Sequence, residues 1–305
     1  MKISLNWLGR HVDLGGLDPA RIAADLTLST AEIEAVHAFG AGLEKVVVGE
    51  VVACQPHPDS DHLHLCRVAE GNGEPLPVVC GAANVARGQK IAFARAGVAL
   101  PGGLVLKKTK IRGAVSEGMI LSEQELALAE RSEGILVLDP SAPVGRPLPE
   151  ILPVQDTVLE IDNKSITHRP DLWGHHGFAR ELAALYGREL RAAYPTLSCP
   201  GEGLQVPIAI EAPRLCPRYV GTVLEGLRVG PSPAWLRYLL IATGQRPISN
   251  IVDLTNFLLL DLGQPMHAFD LARLEGPEIR VRAARPGERL RTLDGQERVL
   301  LPADL

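Results

Sequence analysis

The chain has 305 residues, 46% hydrophobic and 22% charged, with a formal net charge of -5. That composition suits a globular protein of two or three domains and excludes a disordered chain. The acidic excess excludes a nucleic-acid binder held by overall basic charge, so any RNA contact needs basic residues gathered locally.

Five cysteines occur without a CxxC pair, and no apolar leader or long apolar span is present. A soluble cytoplasmic protein with reduced thiols and no membrane segment is the expectation.

Met1 to Leu8 alternates apolar and polar positions and predicts a short extended entry. Asp18-Pro19 predicts a helix start, the carboxylate accepting from orphan amides and the proline needing no donor, with helix to about Leu28. From Lys45 the pattern becomes short β-like runs, Val46–Val48, Val51–Val52, Pro77–Val79, Lys90–Phe93 and Gly134–Leu138, punctuated by turn residues, which predicts a small barrel. After Pro153 a helix is predicted through Phe178, Leu182 and Leu185, with Gly187 as its cap, so the barrel reads as an insertion in a small α/β domain.

Pro-, Gly- and Ser-rich residues 194–204 read as a linker. Ser232-Pro233 then opens a helix ending near Gly244, and Asn250 to Leu260 predicts a second. Arg291 to Arg298 predicts a hairpin on an Asp-Gly turn, after which the chain reads as stopping inside a domain at Leu305.

Four blocks are candidates for function. His57-Pro58-Asp59-Ser60-Asp61-His62-Leu63-His64-Leu65-Cys66 holds many metal-ligand types. Side chains on an extended segment alternate in direction and no second ligand pair follows at finger spacing, so a structural turn capped by Asp59 or Asp61 is preferred over zinc. No metal site is expected, and adjacent His175 and His176 do not suggest one.

Lys107, Lys108, Lys110 and Arg112 form the dense basic run of the barrel segment. On an extended strand Lys108, Lys110 and Arg112 would share a face and suit a phosphate backbone, or else protect a solvated edge strand. Asp162 to Leu172 crowds Asn163, Thr167, His168 and Arg169 onto a loop before the Phe178 helix. Gln245-Arg246-Pro247-Ile248-Ser249-Asn250-Ile251-Val252-Asp253-Leu254-Thr255-Asn256-Phe257 and Gly263-Gln264-Pro265-Met266-His267-Ala268-Phe269-Asp270 bring a guanidinium, a hydroxyl, an amide and an imidazole into an apolar region. Read without relatives, Asp253, Thr255 and Asn256 are helix-capping or cross-linking groups and His267 a core histidine.

With Val79 to Gly88 and Gly113 to Glu123, the His57 block resembles the tRNA-binding OB-fold module shared by several tRNA synthetases and tRNA chaperones, and the last two blocks resemble the bacterial phenylalanine–tRNA synthetase β subunit. The resemblance implies a multidomain α+β chain: a discontinuous domain at 1–39 plus 153–193, an inserted tRNA-binding OB-fold barrel at 40–152, and the first part of a B3/B4-type editing domain at 205–305. It further implies that His267, Arg246, Thr255 and Asn256 hold the end of a mischarged tRNA and orient water for hydrolysis of Tyr-tRNA(Phe). Lys107, Lys108, Lys110 and Arg112 would contact RNA. Expected partners are tRNA(Phe) and an α subunit in an α2β2 tetramer; ATP and Mg2+ would serve the whole enzyme, with neither bound to this segment. Other readings are a non-enzymatic tRNA chaperone using only the barrel, and a free-standing hydrolase of mischarged tRNA.

Overall fold

The computed structural model describes residues 1–192, 194, 203–274, 276, 278–292 and 295–305. They form two compact units, Met1–Ala193 with Gly230–Met266, and Tyr194–Val229 with His267–Leu305. Most of the 194–204 linker and Leu293 and Asp294 of the predicted Asp-Gly turn lie outside the described residues.

The first unit opens with β1 (Lys2–Ser4), which gives way to a one-turn helix, α1 (Leu5–Leu8), where the sequence reading had extended chain. Ser4 decides the change: its hydroxyl accepts from Trp7 N at 2.9 Å and caps the turn. Helix α2 (Pro19–Ser29) starts as predicted, with Asp18 Oδ1 accepting from Ala20 N at 3.2 Å. It packs beside β2 (Ile33–Phe39), which pairs antiparallel with β10 (Asp156–Ile161) on the far side of the barrel segment, giving the sheet order β1-β10-β2. Ile3, Ile22, Leu26, Leu159, Phe178 and Leu182 are fully or almost fully buried between sheet and helices.

The barrel enters and leaves through two segments that touch. Gly40 has φ of 68°, and a Cβ there would lie 1.7 Å from Val154 O. Only glycine takes both that conformation and that approach without displacement.

Between these points run β3 (Val47–Pro56), β4 (His64–Ala69), β5 (Leu76–Cys80), β6 (Lys90–Arg95), β7 (Thr109–Ile111), β8 (Ala114–Ser116) and β9 (Gly118–Ile120). Five of them make an antiparallel sheet in the order β5-β4-β3-β6-β9. Its ends meet at the β8–β9 junction, where Glu117 N donates to Pro77 O at 2.9 Å and Ser116 Oγ accepts from Val79 N at 3.1 Å. The sheet is thereby curled into a nearly closed barrel over Val51, Val68, Ile91 and Phe93.

Residues Gly134–Leu138, predicted as a strand, form only a single bridge, Ile91 with Val137. At Ile135 the Asn84 side chain takes the place of a strand partner, accepting from Ile135 N at 2.9 Å and donating to Ile135 O at 3.0 Å, while Leu136 N and Leu138 N donate to Leu121 O and Lys90 O.

After α3 (Leu148–Ile151) and β10 comes α4 (His175–Tyr186), ended by Gly187 in the left-handed region with φ of 60°. Two further helices complete this unit: α5 (Ala234–Ala242) and α6 (Asn250–Leu262), the latter capped by Ser249 and by left-handed Gly263. Tyr238 of α5 is buried in the barrel's second core cluster with Leu100, Leu121 and Leu126. Leu236, Leu240 and Phe257 pack on Trp7.

In the second unit β11 (Ile208–Ile210) pairs parallel with β12 (Ile279–Val281), and β13 (Arg289–Arg291) pairs antiparallel with β14 (Glu297–Val299). No helix among the described residues is long and apolar enough to cross a membrane.

Candidate nucleic-acid interface and editing residues

The basic run lies on the β7–β8 hairpin, but not as a straight strand. Only Thr109–Ile111 is extended, and Arg112 and Gly113, with φ of 46° and 86°, make a two-residue turn that returns the chain. The expected shared face of Lys108, Lys110 and Arg112 therefore does not form: Lys108 precedes the strand and Arg112 sits on the turn. Lys107, Lys108, Lys110 and Arg112 are all exposed. Lys108 Nζ is 2.7 Å from Glu117 Oε1, and Arg112 Nη1 donates to Asp59 O at 3.1 Å.

That last bond brings the hairpin against the His57 block. There β3 ends at Pro56, and His57 N donates to Leu63 O at 2.9 Å, continuing the β3–β4 hairpin. The turn is capped not by Asp59 or Asp61 but by the His57 ring, whose Nδ1 accepts from Asp59 N at 3.1 Å. An acceptor at Nδ1 requires the proton at Nε2 in the neutral ring. His57 Nε2, Ser60 Oγ and His64 Nδ1 are buried without a hydrogen-bond partner among the described residues. No group of three or more His, Cys, Asp or Glu is placed to hold a metal ion among those residues.

The editing candidates divide between the units. Arg246, Thr255 and Asn256 belong to the first and His267 to the second. Arg246 is exposed on the loop before α6, and Thr255 Oγ1 donates to Val252 O of its own helix at 2.7 Å. His267 is exposed and lies against Phe269, ring centroids 4.5 Å apart, so it is not a core histidine.

Two carboxylates hold this region: Asp253, which the sequence reading offered as a capping or cross-linking group, and Asp261, which it missed. Asp253 is fully buried, accepting from Ile248 N at 2.8 Å and from Ser232 Oγ at 2.5 Å, so it ties together the entrances of α5 and α6. Asp261 is also fully buried and accepts from Trp7 Nε1 at 2.7 Å. The signal was present: Asp253, Phe257 and Asp261 fall at i, i+4 and i+8, one face of an otherwise apolar helix.

His175, at the start of α4, is buried, with Nδ1 2.7 Å from Leu260 O and Nε2 accepting from Ser4 N at 3.0 Å. Its ring stacks on Trp7 at 4.1 Å. Burial pushes its pKa down to about 4, so the ring is neutral near pH 7. In the block before it, Arg169 binds Asp171 through two nitrogens at 3.0 and 2.8 Å and Glu181 at 2.6 Å. The Arg169 guanidinium holds the Asp171 carboxyl down to about 2, so this block is cross-linked as an ionic loop.

Comparison with known proteins assigns these regions. Residues 46–147 match the family model "Putative tRNA binding domain", and residues 215–305 match the B3/4 domain. The phenylalanine–tRNA ligase β subunit of Anaeromyxobacter dehalogenans is 47% identical over 100% of this chain and 38% of its own length. That of Nitratidesulfovibrio vulgaris is 47% identical with the same coverage, and that of Geobacillus kaustophilus 42% identical over 98% of this chain. This chain is similar over its whole length to those β subunits.

It spans 38% of the length of those phenylalanine–tRNA ligase β subunits. The curled five-stranded sheet is the OB-fold barrel that the tRNA-binding match implies, and the B3/4 match fits an α+β region. Among solved structures, a MetRS related protein from Pyrococcus horikoshii is 24% identical over 34% of this chain and 87% of its own, with a TM-score of 0.26.

Proposed function

We propose that this chain supplies the tRNA-binding and editing portion of a phenylalanine–tRNA ligase β subunit. In the whole enzyme an α subunit performs ATP- and Mg2+-dependent charging of tRNA(Phe), within a cytoplasmic α2β2 assembly. The proposed domains are 1–39 with 153–193, the barrel at 40–152, a linker at 194–204 and the editing region at 205–305. The observation that carries the reading is the joint presence in one chain of a tRNA-binding barrel with an exposed cationic hairpin and a B3/4 region, both inside an alignment that covers all of this chain and 38% of the β subunit of Anaeromyxobacter dehalogenans.

Lys107, Lys108, Lys110 and Arg112 contact the RNA backbone, where each neutralised phosphate releases condensed counterions. Few aromatic side chains are available for base stacking, so structured RNA is held through shape and phosphates. In the editing region Arg246, Thr255, Asn256 and His267 bind the 3′ end of a mischarged tRNA and orient a water at the ester carbonyl, releasing free tyrosine and tRNA. A pocket for phenylalanine cannot strongly reject a side chain of the same shape bearing one extra hydroxyl, so a second, hydrolytic step is needed.

The test is His267→Ala in the complete αβ ligase. Phenylalanine charging is expected to continue while Tyr-tRNA(Phe) accumulates; clearance at the wild-type rate would refute the editing role.

A further inference from the structure

Cys54 on β3 and Cys66 on β4 are register partners, and the Cys66 thiol donates to the Cys54 sulfur across 3.8 Å. Directly opposed residues of antiparallel strands have Cα atoms about 4.5–5.5 Å apart, within the separation a disulfide spans. Bond formation therefore needs the side chains to close on each other and not the strands to move. Burial differs between the two residues: Cys54 is half-buried, its thiol donating to Val85 O at 3.9 Å, whereas Cys66 is 3% exposed in the barrel core. Cys80 lies in the same core cluster, on β5 opposite His64. Burial pushes both the Cys66 and Cys80 thiols up, so neither is a thiolate at neutral pH.

We propose that Cys54 and Cys66 are an oxidation-responsive dithiol that forms a reversible disulfide on reaction with a hydroperoxide. Cys54, the less buried residue of the pair, attacks a peroxide oxygen through its sulfur; the O–O bond breaks, leaving Cys54 as a sulfenic acid and releasing water after proton transfer. The Cys66 thiol then gives its proton to the sulfenic hydroxyl as its sulfur attacks the Cys54 sulfur; the S–O bond breaks and water leaves. Two thiols are oxidised and one hydrogen peroxide is reduced to two waters. The bridge would close the hairpin loop holding His57 and Asp59, which the basic hairpin contacts through Arg112. Its formation depends only on the strand pair and not on the ligand assigned to the barrel.

The test is peptide mapping of the reduced chain after hydrogen peroxide treatment, with free thiols blocked by a maleimide under denaturing conditions. A Cys54–Cys66 linked peptide lacking two hydrogens, lost on treatment with dithiothreitol, is expected. In Cys66→Ser the sulfenic acid should persist at Cys54 and be trapped by dimedone. Over-oxidation of Cys54 to sulfinic acid without bridging in the unmodified sequence, or bridging of either cysteine to Cys80 instead, would overturn the proposal. The mapping of the unmodified sequence decides the matter even if the variant folds poorly.

Discussion

Trp7 Nε1 donates to Asp261 Oδ1 at 2.7 Å, joining residues 254 positions apart. His11 Nε2 lies 2.6 Å from the same oxygen, so one buried carboxylate anchors α6 to the N-terminal segment. Since α6 also carries Thr255 and Asn256, their position depends on residues at the other end of the chain.

Asp261→Ala leaves two buried donors without their acceptor. A loss of about 3 kcal/mol is expected, because orphaned buried polar groups cost more than a typical hydrogen bond contributes. Urea denaturation followed by tryptophan fluorescence measures it; a loss under about 1 kcal/mol would show that the anchor contributes little.

Protonation of His175 should set part of the acid sensitivity. Its pKa falls from 6.5 to about 4 on folding because burial disfavours the cation. The unfolded chain therefore binds the extra proton first, and the stabilisation, full above pH 6.5, is lost as pH falls toward about 4. The effect is on the order of 3 kcal/mol, read as a drop in urea midpoint between pH 7 and pH 4. His175→Gln, which keeps a donor and an acceptor without titrating, should flatten that profile; an unchanged profile would assign the dependence to other groups.

Gly40→Ala should destabilise the junction between the N-terminal domain and the barrel. The added Cβ meets Val154 O at 1.7 Å, on a backbone with φ of 68°. Strain and displacement together are expected to cost about 3 kcal/mol. Thermal unfolding should show a clearly lower midpoint, whereas a midpoint equal to the parent's would mean that the Val154 segment moves aside freely.

On the basic hairpin the four cations should not contribute equally. Lys108 is paired with Glu117 and Arg112 is engaged with Asp59 O, whereas Lys107 and Lys110 have no ion pair among the described residues. Lys107→Ala and Lys110→Ala should each reduce the slope of log K against log salt for tRNA by about one, and Lys108→Ala by less. Equal slopes for Lys110→Ala and the parent chain would remove that lysine from the RNA contact.

Local signals made much of the fold legible. Asp18-Pro19 marked the start of α2, Gly187 the end of α4, and the spacing of short β runs marked the barrel, because caps, turns and side-chain alternation are set by residues a few positions apart. Two exceptions have local causes, the Ser4 cap that turns Leu5–Leu8 into helix and the left-handed Arg112 that bends the basic run, whereas the third, the Asn84 amide bonded to Ile135, acts across 51 positions of sequence.

The sequence by itself determined most of the long helices, the inserted barrel and the blocks shared with β subunits. Tertiary structure decided which way α6 faces. Hydropathy would bury its leucines, yet Leu254, Leu259 and Leu262 are 43%, 37% and 41% exposed while Asp253 and Asp261 are fully buried. A carboxylate can be buried only where donors surround it; Ile248 N comes from the turn just before α6, but Ser232, Trp7 and the His11 ring are brought to α6 from elsewhere in the chain by the fold.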